Sequence, residues 1–73
     1  MQLHDPLPTS ILLNGERLQT DARTLADLVA GQGFTETAVA TALNGDFVPR
    51  EARAATLLAG GDRVEIVAPR QGG

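Results

Sequence analysis

Apolar residues along the chain fall into short runs divided by turn signals. Ile11-Leu12-Leu13 is followed at once by Asn14-Gly15. Asn-Gly marks a two-residue hairpin, because a type I′ turn needs positive φ at both central residues. The pattern predicts one strand at Ile11–Leu13 and a second at Glu16–Thr20, with Leu18 inward. Leu25, Leu28 and Val29 then recur at i, i+3 and i+4, a single apolar stripe on a helix. That helix is expected over Thr24–Gly33. Thr24 is its N-cap, with Asp27 three residues on in a shortened capping box and close to the positive end of the helix dipole. Gly31 or Gly33 closes it by taking a left-handed conformation. Val39, Thr41 and Leu43 alternate with Ala40 and Ala42, as in a strand with two unequal faces. Asn44-Gly45 is a second hairpin-type turn, leading to a short strand at Phe47-Val48 that Pro49 closes. The alanine-rich stretch Arg50–Leu58 predicts a turn or two of helix, with Leu57 and Leu58 returning to the core. Gly60-Gly61-Asp62 reads as a turn. The last strand is expected over Arg63–Ala68, with Val64 and Ile66 facing one way and Glu65 and Val67 the other. Pro69 stops it, having no N–H for a ladder.

The helix stripe is short and needs a larger support, for which a sheet is the natural candidate. The order strand, hairpin, strand, helix, strand, short strand, turn-rich crossover, strand describes a mixed sheet gripping one helix. The expected class is α+β with a β-grasp (ubiquitin-like) topology: four to five strands packed on one main helix. Before it, residues 1–10 contain Pro6 and Pro8, which resist helix and sheet alike, and read as an extended or mobile leader. After the domain of residues 11–68 come residues 69–73, a flexible tail ending in Gly72-Gly73.

Composition narrows the chemistry. Seventy-three residues make one domain, with little room for a deep catalytic cleft. Phe34 and Phe47 are the only aromatics, so the core is aliphatic. Having no cysteine, the chain has no disulfide, thiolate metal site or cysteine nucleophile. A net charge of -3 argues against nucleic acid as the main partner, since phosphate binding needs a basic footprint. No apolar run approaches the roughly 20 residues of a membrane span. Residues 1–10 lack the basic cluster and apolar stretch of a secretory signal. The cytoplasm is the expected compartment. There is no lysine, so an activated C-terminus has no lysine of its own chain, or of a sister copy, to acylate.

The ending is the most informative segment. A carboxylate is a poor electrophile, its charge delocalised and its oxygen a bad leaving group. To react it must be activated, and the natural place is another protein's active site. A tail threading a narrow channel cannot carry bulky side chains, and glycine also permits backbone conformations closed to other residues. Gly72 and Gly73 meet both needs, and the folded domain becomes a handle. The bland alternative is a frayed end, since termini are often small and disordered.

Several residues together resemble a known family. Leu13-Asn14-Gly15, Thr24-Leu25-Ala26-Asp27-Leu28, Leu43-Asn44-Gly45, Val48-Pro49-Arg50-Glu51, Gly61-Asp62, Val64-Glu65-Ile66-Val67 and the final Gly72-Gly73 are similar to the thiamin-biosynthesis sulfur carriers, the ThiS family, relatives of ubiquitin. The likeness spreads over roughly Ile11 to Gly73. The Val-Pro-Arg-Glu segment with Gly-Asp and Val-Glu-Ile-Val is the part most specific to this branch. The Gly-Gly end is shared with molybdopterin carriers and other ubiquitin-like proteins. The chain departs from the family in its longer start and in Pro69, Arg70 and Gln71 before the glycines.

The resemblance implies a cycle in which the chain is a protein co-substrate rather than an enzyme. A ubiquitin-activating-type adenylating enzyme would convert the Gly73 carboxylate to an acyl-adenylate. A persulfide donor would supply sulfur, leaving a thiocarboxylate, and thiazole synthase would accept it. ATP and magnesium belong to the activating enzyme; the carrier binds no cofactor of its own. Gly72, Gln71 and Arg70 would enter the partner's active site. Arg70 offers a planar multi-donor fork to acidic groups there, with a solvated arginine as the alternative. Phe47 and Val67 are expected to form an exposed apolar patch on the sheet face away from the helix, where ubiquitin-like relatives meet their activating enzymes. Two other readings stay open: a carrier for molybdopterin or cysteine synthesis, and a ubiquitin-like binding module without sulfur chemistry.

The remaining chemistry-bearing residues have plainer readings. His4 is the only histidine and has no second metal ligand paired with it, so no metal site is expected. Asp21, Asp27, Glu36, Asp46 and Asp62 are scattered, and caps and turns account for Asp27, Asp46 and Asp62. Asn14 and Asn44 precede glycines and read as turn formers.

Overall fold

The computed structural model describes residues 8–68. Five strands form one mixed sheet in the order β2-β1-β5-β3-β4. β1 (Thr9–Leu13) and β2 (Glu16–Thr20) make an antiparallel hairpin. α1 (Leu25–Gly31) crosses over, and β3 (Ala40–Leu43) and β4 (Asp46–Val48) make a second antiparallel hairpin. A 3-10 helix, Arg50–Ala55, leads to β5 (Arg63–Val67). β5 runs parallel to β1 and antiparallel to β3, which places the last strand in the centre of the sheet. This is the β-grasp arrangement expected from the pattern.

Both hairpins form for the anticipated reason. Asn14 and Asn44 each have φ of 52°, followed by Gly15 at 87° and Gly45 at 89°. Those values suit a type I′ turn, whose twist matches that of the flanking strands.

α1 has only seven residues. So short a helix is unstable alone and depends on burying its apolar face. Leu25, Leu28 and Val29 do this against Ile11, Val39, Val48, Val64 and Ile66, with half-buried Leu18 packed beside them. The Thr24 hydroxyl accepts the Asp27 N–H at 3.1 Å, the first half of a capping box. The helix ends at Gly31, and Gly33 (φ +84°) is the left-handed glycine.

Some boundaries differ from expectation. β1 begins at Thr9, not Ile11, because Thr9 and Ser10 pair with Thr20 and Gln19. β4 includes Asp46, paired with Leu43. β3 begins at Ala40 and β5 ends at Val67, since those two residues close the ladder between them. Leu57 is a correction of another kind: it is 72% exposed rather than in the core. Thr24 bridges Leu57, the Leu25 N–H donates to the Thr56 carbonyl, and the Leu58 N–H donates to the Arg23 carbonyl. The segment is therefore extended, so neighbours alternate in direction. Leu58 packs on the core and Leu57 faces out.

Arg53 was not anticipated. It lies in the 3-10 helix and is only 3% exposed. Its Nε donates to Thr41 Oγ1 at 3.0 Å, and its Nη1 and Nη2 donate to the Glu36 and Val39 carbonyls at 2.7 and 2.8 Å. Thr41 Oγ1 in turn donates to the Val48 carbonyl at 2.8 Å. One guanidinium thus ties the 3-10 helix to β3 and to the loop before it.

Candidate functional site

β5 carries the chain from the middle of the sheet towards its C-terminus. Val64 and Ile66 are buried beneath α1, while Arg63, Glu65 and Val67 lie on the outer face. The register sets their neighbours. Ala42 stands opposite Phe47 on one side and Glu65 on the other; Ala40 stands opposite Val67. Ala40, Ala42, Phe47, Glu65 and Val67 therefore share the face away from the helix. Phe47 is 69% exposed and Val67 59%. The small side chains of Ala40 and Ala42 leave a low apolar floor between them, with Glu65 opposite Ala42.

Beyond Val67 the main chain leaves the ladder. Arg70, Gln71, Gly72 and Gly73 fall outside the described residues, as does His4. What is described is the base from which that segment departs. On the β3 edge, Val67 is paired with Ala40. On the β1 edge, Asn14 Nδ2 donates to the Ile66 carbonyl at 3.1 Å and Asn14 Oδ1 accepts the Ile66 N–H at 3.0 Å. The other end of β5 is held in a related way. Asn44 Oδ1 accepts the Arg63 N–H at 2.8 Å, and Asn44 Nδ2 donates to Asp62 Oδ1 at 3.1 Å. Asp62 Oδ2 accepts the Ala59 N–H at 2.8 Å. Asp62 thus has the turn role read from sequence. The two asparagines do more than turn the chain. Asn-Gly signals the turn, but nothing local in it says which distant strand the amide will meet.

The helical layer holds a cavity of about 310 Å³, with Ala26, Val29, Ala30 and Phe34 among its lining and Glu36, Arg50 and Arg53 as its polar part. Among the described residues, no three acidic or histidine side chains gather as metal ligands, and no helix is long and apolar enough to cross a membrane.

The model of the ThiS family matches residues 11–73. The chain belongs to the ThiS family. Two solved structures of a thiamine biosynthesis protein from Geobacter metallireducens are similar to it. The crystal structure, of the protein called ThiS, is 29% identical with a TM-score of 0.73, covering 89% of this chain and 100% of that one. The solution structure is 28% identical with a TM-score of 0.74, covering 89% of this chain and 88% of that one. No curated protein matches the chain significantly. The ThiS match runs through both terminal glycines and begins within β1, so the sheet from Ile11 onward and the segment beyond it belong to the family pattern. As a ThiS-family chain it is a small sulfur carrier of thiamin biosynthesis.

Proposed function

We propose that the reactive group of this carrier is the Gly73 carboxylate. A carboxylate oxygen attacks the α-phosphorus of ATP in a ubiquitin-activating-type enzyme, and pyrophosphate leaves. The terminal sulfur of a persulfide donor then attacks the acyl carbon, and the bond to AMP breaks. A thiol attacks the donor's sulfur in the resulting acyl disulfide, forming a new disulfide with it and freeing the thiocarboxylate, which passes sulfur to thiazole synthase. ATP and magnesium stay with the activating enzyme.

The observation that carries this reading is a family match extending to residue 73 on a domain whose last strand, β5, lies at the centre of the sheet. Gly72 and Gly73 give a segment slim enough for a channel. Arg70 and Gln71 line its approach, Arg70 offering donors to acidic groups of the partner. Phe47 and Val67 supply the apolar docking face, since exposed apolar groups gathered on one surface favour a protein partner.

Intact mass spectrometry of the chain co-expressed with its sulfur-transfer machinery tests the reading. A species in which one oxygen has become sulfur is expected, and it is lost when Gly73 is deleted. An unmodified mass during active sulfur transfer would favour a binding module. Complementation of a thiamin auxotroph separates the thiazole pathway from molybdopterin or cysteine synthesis.

A further inference from the structure

The C-terminal half of β5 is held on its β1 edge by a side chain rather than by a strand. The ladder begins normally. The Leu12 N–H donates to the Asp62 carbonyl and the Asn14 N–H to the Val64 carbonyl, both at 2.9 Å. A parallel partner would continue with an N–H two residues later donating to the Ile66 carbonyl. It cannot, because the chain turns away at Asn14-Gly15. The Asn14 amide replaces the missing rung. Nδ2 donates to the Ile66 carbonyl and Oδ1 accepts the Ile66 N–H, so both main-chain groups on that edge are met.

We propose that Asn14 is a positioning residue for sulfur-carrier activation: its amide fixes where β5 ends and so how Gly73 is presented to the adenylating site. The proposal rests on the function given above. Seven residues, 67–73, follow Ile66. Without the clamp, β5 beyond Val64 is held on one edge only, by the four-residue β3. Strand ends held on a single edge open readily. Each residue released adds to the length of chain between the sheet and Gly73, and the effective concentration of an end falls with that length. Of the two docking residues, Phe47 lies two strands away and is untouched, while Val67 is displaced only when the end of β5 opens. The loss should therefore fall mainly on kcat, through fewer docked complexes with Gly73 in place, with KM rising less than it does when Val67 itself is replaced.

The two Asn-Gly turns provide a matched control. Glycine adopts the turn's positive φ freely, so Asn14→Gly removes the amide and keeps the hairpin. Asn44→Gly does the same in the twin turn, where the amide holds the start of β5, far from the C-terminus. Both variants are assayed for pyrophosphate release with the cognate activating enzyme, and for amide hydrogen exchange at Ile66. In Asn14→Gly, exchange at Ile66 rises about tenfold or more. Its kcat falls about threefold or more, with KM rising less than the about tenfold expected for Val67→Asp. Asn44→Gly keeps kcat. Asn14→Asp keeps the acceptor for the Ile66 N–H but loses the donor, and should retain part of kcat; it carries the comparison if Asn14→Gly does not fold. An unchanged kcat in the Asn14 variants, or an equal fall in Asn44→Gly, overturns the role alone. A wild-type chain that is never adenylated brings down the functional reading, and the role with it.

Discussion

Arg53 sits among carbonyls rather than carboxylates. Its three hydrogen bonds join the 3-10 helix to Thr41, Glu36 and Val39. Removing it leaves the Val39 carbonyl and part of the Thr41 network without a partner, and unmet buried groups are costly. Arg53→Ala should lower stability by about 3 kcal/mol, and Arg53→Lys by about half that, since an ammonium lacks the planar fork. Urea unfolding measures both; a midpoint unchanged in Arg53→Ala would mean the bonds contribute nothing. No local signal in Arg50-Glu51-Ala52-Arg53 separates the buried arginine from the exposed one. Burial depends on Thr41 and residues 36–39, which arrive only when the sheet assembles. Leu57 is the reverse case. It reads as core from its side chain, yet the backbone pairing of residues 56–58 with 23–25 turns it outward. Leu57→Ser should change stability by no more than about 0.5 kcal/mol, whereas burial would make the same change far more damaging.

At the scale of elements, local signals and packing divide the work unevenly. The hairpins are local, each made by an Asn-Gly pair able to hold positive φ. The helix is not. Seven residues cannot sustain it, so its stability comes from Leu25, Leu28 and Val29 on the sheet. Thr24→Ala should cost about 1 kcal/mol through loss of the cap, while Leu28→Ala should cost about 3 kcal/mol through the cavity it leaves. Thermal or urea melts that ranked the two the other way would show that α1 is held by its own ends. The sequence placed both residues correctly because cap chemistry and 3.6-residue periodicity are local. It misplaced ends by one or two residues, because a strand stops where its partner stops.

For the whole molecule, the sheet has one face against α1 and one outward, and the outer face carries Phe47 and Val67 beside Ala40 and Ala42. Neither aromatic bulk nor β-branching there is needed for the core. Phe47→Asp and Val67→Asp should leave folded domains, each within about 1 kcal/mol of wild type by urea unfolding. If this face docks the activating enzyme, each should raise KM for adenylation about tenfold, since buried apolar anchors dominate interfaces. Unchanged kinetics in either folded variant would remove that residue from the docking surface. Together with the Asn14 comparison this separates recognition from presentation: the outer face changes mainly KM, the clamp on β5 mainly kcat.

The sequence by itself determined the strand and helix order, both turns, the aliphatic core and the Gly-Gly end, because each is written in neighbouring residues or in a short period. It also made Val64 and Ile66 inward and Val67 outward, since alternation needs no knowledge of a partner. Tertiary structure alone decided that β5 lies between β1 and β3, that Arg53 is buried, and that the Asn14 amide meets Ile66 fifty-two residues away. Those outcomes join groups with no shared local signal. They exist only once the folded sheet has excluded water and left particular carbonyls in need of a donor.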